Sequence, residues 1–104
     1  VAGQCWTEIQ PKVFDEAGTA VLNERLQQIW PELRRELAQF IIPVDEMTRL
    51  LRAAGGPLTA GDLGVPVDLY REAVVHCREM RNRYSFLDLA ADAGLLDDFA
   101  ASEV

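Results

Sequence analysis

The sequence contains few of the residues that most often carry chemistry. Its 104 residues include one histidine and two cysteines. Two cysteines are too few for the disulfide framework typical of small secreted domains, so we expect free thiols and a reducing, cytoplasmic location. No apolar run approaches the ~20 residues that span a bilayer, so we expect no membrane partner.

Positive charge is scarce as well. Ten Lys and Arg residues stand against 17 Asp and Glu residues, which gives a net charge of −7. Nucleic-acid binding draws much of its affinity from the neutralisation of phosphates, so this balance argues against a nucleic-acid partner. The stretch from Thr59 to Arg83 imitates a helix-turn-helix pattern, but its four acids cancel its four arginines. DNA binding therefore stays a distant third alternative.

Apolar residues, in contrast, are plentiful and follow a helical period. They make up 49% of the chain, which predicts a single domain over residues 1–104 with enough apolar surface for a core. No stretch alternates with a period of two, so we expect no strand. The pattern predicts an all-α bundle of five or six short helices.

Prolines and glycines set the predicted boundaries in the first half. A helix over Ala2–Ile9 is followed by a short one that begins at Pro11 and continues through Glu16. Gly18 is predicted to end this short helix, and Thr19 is predicted to cap the N-terminus of the next one. Pro31 lies inside that helical pattern, and we expect a break near Trp30.

Three more helices are predicted in the second half. The first follows Pro43, ends at Gly55-Gly56-Pro57 and buries a stripe formed by Met47, Leu50, Leu51 and Ala54. Thr59 is expected to cap a single turn through Asp62. The next helix runs over 67–81, with Cys77 as a small buried residue. The last runs over 86–93, stops at Gly94, and is followed by a short closing turn over 95–99.

A corner between the last two helices is the most informative segment. Basic residues at 78, 81 and 83 suit a helix C-terminus, where the last carbonyls carry partial negative charge. Ser85 with Asp88 three residues later is the pattern of an N-terminal capping box. Asp88 also belongs to an acidic group with 92, 97, 98 and 103, which we interpret as a solvated edge.

The same corner carries a resemblance to a known family. The ordered segments Leu50-Leu-Arg-Ala-Ala-Gly-Gly-Pro57, Asp62-Leu-Gly-Val65 and Arg81-Asn-Arg-Tyr-Ser-Phe-Leu-Asp-Leu89, after a helix start at Trp30-Pro31, resemble the C-terminal helical domain of the glycerol-1-phosphate dehydrogenase-like enzymes. These enzymes belong to the iron-containing alcohol dehydrogenase and dehydroquinate synthase superfamily.

The resemblance implies an NAD(P)-dependent oxidoreductase that transfers a hydride while a divalent metal, zinc or iron, polarises the substrate oxygen. The family places its Gly-rich dinucleotide motif and its Asp/His/His metal set ahead of this region. This chain has only His76 and no such Gly-rich run. We therefore expect a C-terminal piece of a two-domain enzyme, inactive alone, with no catalytic, cofactor-binding or metal residue of its own.

Five residues are candidates for contact with another domain or subunit: Arg81, Arg83, Tyr84, Trp6 and Trp30. The competing interpretation is structural, with the arginines paired to Asp88 or to helix-end carbonyls and Tyr84 filling the corner. Partners would be the N-terminal nucleotide-binding domain or a second subunit, with homo-oligomers expected. The alternative function is a stand-alone helical interaction or dimerisation module, in which exposed aromatic residues form the binding surface.

Overall fold

The structure is a computed structural model that describes residues 2–102. Within this range the chain forms six α-helices and two short 3-10 helices without any β-strand, which confirms the predicted all-α class. The helices are α1 (Ala2–Ile9), α2 (Glu16–Leu37), α3 (Val44–Ala53), α4 (Val67–His76), α5 (Phe86–Asp92) and α6 (Leu96–Ser102). The 3-10 helices cover Gln10–Lys12 and Cys77–Met80. Of the acidic group at the end of the chain, Glu103 lies outside the described residues.

The start of α2 corrects two predictions. Pro11 belongs to a single 3-10 turn, and the backbone is non-helical from Val13 to Asp15, so no helix continues through Glu16. The cap is Asp15 rather than Thr19, because its carboxylate accepts a hydrogen bond of 2.7 Å from the Gly18 amide. The Gly18 amide, which has no partner within the helix, is satisfied by this cap. Gly18 therefore lies in the first turn of α2 and does not interrupt the helix.

The predicted break near Trp30 is also wrong. Helix α2 runs for 22 residues through Pro31. A proline inside a helix removes the hydrogen bond to the carbonyl four residues earlier, here that of Gln27. Gln27 and Pro31 are both exposed, so α2 continues through the proline at a position that is open to solvent.

Glycine ends two helices as predicted. Gly55 and Gly94 have φ angles of 73° and 72°, the left-handed conformation that glycine adopts without a Cβ penalty. After each glycine the next amide reaches back to the last helical turn: Gly56 N to Leu51 O at 2.8 Å, and Leu95 N to Ala90 O at 2.8 Å. This is the Schellman arrangement, which satisfies carbonyls that the helix end would leave free.

Helix α4 is shorter than predicted. It ends at His76, a 3-10 helix follows, and Arg81 is extended with φ −144° and ψ 156°. The Lys12 ammonium group donates hydrogen bonds to the carbonyl oxygens of Arg78 and Arg83. These two carbonyls therefore accept from a charged donor elsewhere in the chain.

The final two helices are joined by a tight turn. The predicted capping box is present at the start of α5: the Ser85 hydroxyl accepts from the Asp88 amide, and the Asp88 carboxylate accepts from the Ser85 amide. The segment after Gly94 forms a seven-residue helix, α6, rather than the short closing turn expected from its sequence.

The helices form an open, flattened arrangement with little core. Helix α1 packs on the second 3-10 helix, α4 and α5 pack on α6, and α2 contacts α5. Only three apolar residues in the described range are buried: Ala60, Leu96 and Ala100. The radius of gyration is 15.9 Å, against about 13 Å for a compact domain of this length.

The exposed surface corrects the expectation of a full core. The accessible surface is 8270 Å², whereas a folded monomer of this size exposes about 5,800 Å². The predicted stripe of Met47, Leu50, Leu51 and Ala54 is exposed, and so is Cys77. Helix α3, which carries the stripe, takes part in none of the main helix contacts of the described chain. The apolar content is sufficient for a core, but this chain alone does not bury it.

Candidate interaction site

A buried ion pair holds the two halves of the chain together at the predicted corner. The Lys12 ammonium lies 2.9 Å from Asp88 Oδ1 and 3.1 Å from Asp88 Oδ2. The two side chains are only 6% and 3% exposed. Because Lys12 also binds two carbonyls of the corner, one cation fixes the position of the whole turn from residue 78 to 88 relative to the N-terminal segment.

The Asp88 carboxylate has partners besides Lys12. Both the amide and the hydroxyl of Ser85 donate to Asp88 Oδ2 at 2.8 Å, and Arg78 lies 3.4 Å from Oδ1. Burial raises the pKa of Asp88, but the bonds from Lys12 and Ser85 outweigh burial, so the pKa lies below its ordinary value. The carboxylate is therefore charged at neutral pH. Because Asp88 is buried, the prediction that it belongs to a solvated acidic edge was wrong.

The arginines of the corner divide into two groups. Arg78 pairs with Asp88, in place of Arg81 and Arg83, for which the structural interpretation expected this partner. The Nε of Arg78 is buried without a hydrogen-bond partner in the described chain. The side chains of Arg81 and Arg83 are exposed. They form no ion pair within residues 2–102, so their guanidinium groups are accessible to another molecule.

Tyr84 closes the outer side of the corner. Its hydroxyl donates to Asp92 Oδ2 at 2.6 Å, and its ring meets Phe14 edge-on with centroids 6.3 Å apart. Partial burial, together with the Asp92 carboxylate, raises the pKa of Tyr84 well above its ordinary value. The residue remains 44% exposed, so it both packs within the corner and contributes to the surface.

An apolar groove lies between α2 and α5, next to the corner. It has a volume of about 500 Å³. Its walls are formed by Leu26, Trp30, Pro31, Phe86, Leu89 and Leu95. The Asn23 amide bridges the two helices at one end, donating to the carbonyl of Asp92 at 2.8 Å. Trp30, an interface candidate from the sequence, is therefore a wall of this groove, while Trp6 is 54% exposed on α1, outside it.

A second apolar surface follows α2 and continues along α3. We call it the α3 face and define it by seven residues: Phe40, Ile41, Ile42, Val44, Met47, Leu50 and Leu51. Their exposed fractions range from 40% at Leu51 to 82% at Phe40. Exposed apolar residues at this density mark interaction surfaces rather than ordinary surface variation.

The histidine and the two cysteines lie outside the corner, at positions 76, 5 and 77. No group of three or more His, Cys, Asp and Glu residues able to hold a metal ion occurs in residues 2–102. His76 lies between two carboxylates, with Nδ1 2.9 Å from Glu79 and Nε2 3.4 Å from Glu72. The hydrogen bond with Glu79 raises the pKa of His76. Cys5 is half-buried and Cys77 exposed, and both are free.

Lys12 is the functional residue that sequence analysis missed. It is the single lysine beside nine arginines, which is a compositional signal. Nothing in the sequence around Lys12 indicates its partner, because Asp88 is 76 residues away along the chain.

None of the helices described between residues 2 and 102 combines the length and the apolarity needed to cross a bilayer. No family model, curated protein or solved structure matches the chain.

Proposed function

We propose that this chain is a helical association domain, which completes its core by packing its apolar groove against another protein surface. The observation that supports the proposal most is the small buried core beside large exposed apolar surfaces. Three apolar residues are buried, while 21 large apolar residues of the described range are at least 39% exposed. A folded monomer does not keep that balance without a partner.

The amount of excess surface indicates what kind of partner is needed. The chain exposes roughly 2,400 Å² more than a compact monomer of its size. That figure is similar to the area one partner contributes to the larger permanent interfaces. It exceeds what a transient encounter covers. The association is therefore a permanent one, of the kind that joins domains or subunits.

The resemblance supplies the identity of the partner. By that resemblance, the groove receives the nucleotide-binding part of a glycerol-1-phosphate dehydrogenase-like oxidoreductase, and the chain forms one wall of its cleft. The Ser85–Asp88 cap and the Gly55 helix end lie in the segments on which the resemblance rests, and both adopt the local structure those segments predict. The donor set of residues 2–102 does not fit a catalytic metal, so the proposal assigns NAD(P) and the metal to the partner.

A pair of matched substitutions in the protein encoded by the complete reading frame tests the association. Leu26→Glu puts a charge into the wall of the groove, whereas Val21→Glu puts one on the same helix outside it. We expect the first to lower the melting temperature by several degrees and the second to leave it within a degree. Equal melting temperatures for the two variants would show that the groove is open to solvent in the natural protein.

A separate measurement tests the oxidoreductase assignment. The same protein, loaded with zinc or iron, is assayed for hydride transfer between NAD(P)H and dihydroxyacetone phosphate. Turnover that is lost on removal of the metal supports the assignment. A complete reading frame without a dinucleotide-binding segment, or a full-length protein without turnover, would contradict it and leave the helical interaction module as the function.

A further inference from the structure

We infer that the partner places a tryptophan side chain in the groove between α2 and α5, with its indole N–H donating a hydrogen bond to Asn23 Oδ1. The inference rests on the proposed function and deepens it, because it states the chemistry of the side chain that the groove receives. Three observations support it: an open hydrogen-bond acceptor in the lining of the groove, walls without charge, and exposed aromatic rings.

The first observation is an acceptor whose position is fixed. The Asn23 Nδ2 group donates to the carbonyl of Thr19 at 2.9 Å and to the carbonyl of Asp92 at 2.8 Å. Because both of these partners are acceptors, the carboxamide nitrogen has to face them, and the oxygen Oδ1 lies on the other side of the group. No residue in the range 2–102 donates a hydrogen bond to Oδ1.

This acceptor is also open. Asn23 lines the groove and is half-buried. Within the described chain, the buried side-chain polar atoms that have no hydrogen-bond partner are Arg71 Nε and Arg78 Nε, so Asn23 Oδ1 is accessible to water. An occupant that covers the groove removes this water. Unless it brings a donor, it leaves Oδ1 buried and unsatisfied, which lowers its affinity.

The second observation is that the groove has no charged wall. Among the described residues, its lining consists of apolar side chains and the two carboxamides of Asn23 and Gln27. Gln27 is exposed, and no hydrogen bond within residues 2–102 fixes its carboxamide. An ammonium or guanidinium group would lose its water in this groove without gaining a carboxylate. The donor to Asn23 therefore has to come from a neutral group.

The third observation is the aromatic surface in the walls. Trp30 and Phe86 line the groove and are 43% and 61% exposed. Such rings pack well against another ring, stacked or edge-on. Tryptophan and tyrosine are the neutral side chains that combine a large ring with a donor. The tyrosine hydroxyl is also an acceptor, whereas the indole N–H is a donor only. Tryptophan therefore matches a single open acceptor without bringing another group that needs a partner.

Two probes that differ in the donor alone test the inference on the 104-residue chain. Indole has the N–H, and benzothiophene has the same bicyclic shape with sulfur in its place. Titrations are followed through the amide NMR resonances of the groove residues, and the result is the ratio of the two dissociation constants. Asn23→Leu removes the acceptor and should shift this ratio about fivefold against indole. A groove loosened by the substitution weakens both probes, so the ratio isolates the hydrogen bond.

Gln27→Leu is the matched control, because it replaces the other carboxamide of the groove by the same side chain and should retain the native ratio. Ala90→Phe fills the groove and should abolish the binding of both probes. A ratio that Asn23→Leu leaves unchanged, or that Gln27→Leu changes equally, would overturn the inference in favour of an aliphatic or phenyl side chain as the occupant.

Three further results would also overturn the inference: no binding of indole up to its solubility limit, binding that survives Ala90→Phe, or an affinity for indole that falls as the chain concentration rises. The last result would mean that a second copy occupies the groove. The test of the proposed function fails independently of this one. The Leu26→Glu comparison shows whether the groove is covered in the natural protein, whichever side chain covers it, whereas the probe ratio shows which chemistry the groove recognises.

Discussion

Lys12 and Asp88 are 76 residues apart in the sequence and form a buried ion pair with the ammonium 2.9 Å from a carboxylate oxygen. Through the additional bonds of Lys12 to the carbonyls of Arg78 and Arg83, this pair joins the N-terminal segment to the corner before α5. In a fold with so few buried apolar residues, this pair is one of the few buried contacts between distant parts of the described chain.

Replacement of Asp88 by Asn should be severely destabilising. The change leaves the Lys12 ammonium buried without its counter-charge, and breaking a buried pair in this way typically costs about 3–5 kcal/mol. The loss is measured as the change in free energy of unfolding in urea, followed by circular dichroism. Glu32→Gln is the control, because it breaks the exposed pair with Arg35 and should leave the midpoint unchanged. A loss of less than about 1 kcal/mol for Asp88→Asn would show that the pair does not hold the corner.

The same pair should make stability depend on pH in the acid range. The folded pKa of Asp88 lies below its ordinary value, so the unfolded chain takes up the proton more readily. The contribution of Asp88 is therefore complete above the unfolded pKa, about 3.9, and is lost as the pH falls through the folded pKa. Urea midpoints measured from pH 7 down to about pH 2.5 should fall for the native chain.

The control for this titration is the comparison of two variants. Asp88→Asn should flatten the acid limb, because it removes the group that titrates. Asp97→Asn, at an exposed position of α6, should retain the native profile. If the two variants give the same profile, the acid sensitivity comes from other carboxylates.

Tyr84→Phe separates the two roles of the tyrosine. The variant keeps the ring that meets Phe14 edge-on and removes only the hydroxyl that donates to Asp92. Since the bond is to a charged acceptor but partly open to water, we expect a loss of about 1 kcal/mol in the free energy of unfolding. Tyr84→Ala should cost more, because it also removes the ring. Equal losses for Phe and Ala would mean that the hydroxyl alone carries the effect.

The capping box of α5 and the glycines that end α3 and α5 were predictable from sequence because their signals are local. Ser85 with Asp88, and the glycines at 55 and 94, act on amides and carbonyls within five residues. Pro31 was misread because its cost depends on whether the freed Gln27 carbonyl is exposed, which the sequence does not show. The partner of Asp88 was missed for a related reason, since no periodicity connects a lysine at position 12 with a carboxylate in α5.

The α3 stripe shows a further limit of sequence reasoning. Its apolar positions were recognised correctly, but burial was inferred from the pattern alone. An amphipathic pattern predicts that a face is to be covered, without indicating whether the cover comes from the same chain. Helix α3 has that pattern, and its apolar residues are exposed in this chain.

Gly94→Ala should destabilise the end of α5 through its backbone conformation alone. Gly94 has φ 72°, and a Cβ built there meets nothing within 4 Å, so the cost is that of a left-handed residue, about 1 kcal/mol, without any clash. Gly94→Asn should cost less, because asparagine tolerates this conformation.

Gly3→Ala is the matched control: it also adds a methyl group in open space, but within α1, where alanine favours the helix. Thermal unfolding should therefore rank the midpoints with Gly3→Ala at or above the native chain, then Gly94→Asn, then Gly94→Ala. A midpoint for Gly94→Ala equal to that of the native chain would mean that the turn before α6 relaxes to another conformation. The Schellman bond from Leu95 to Ala90 would then not determine where α6 lies.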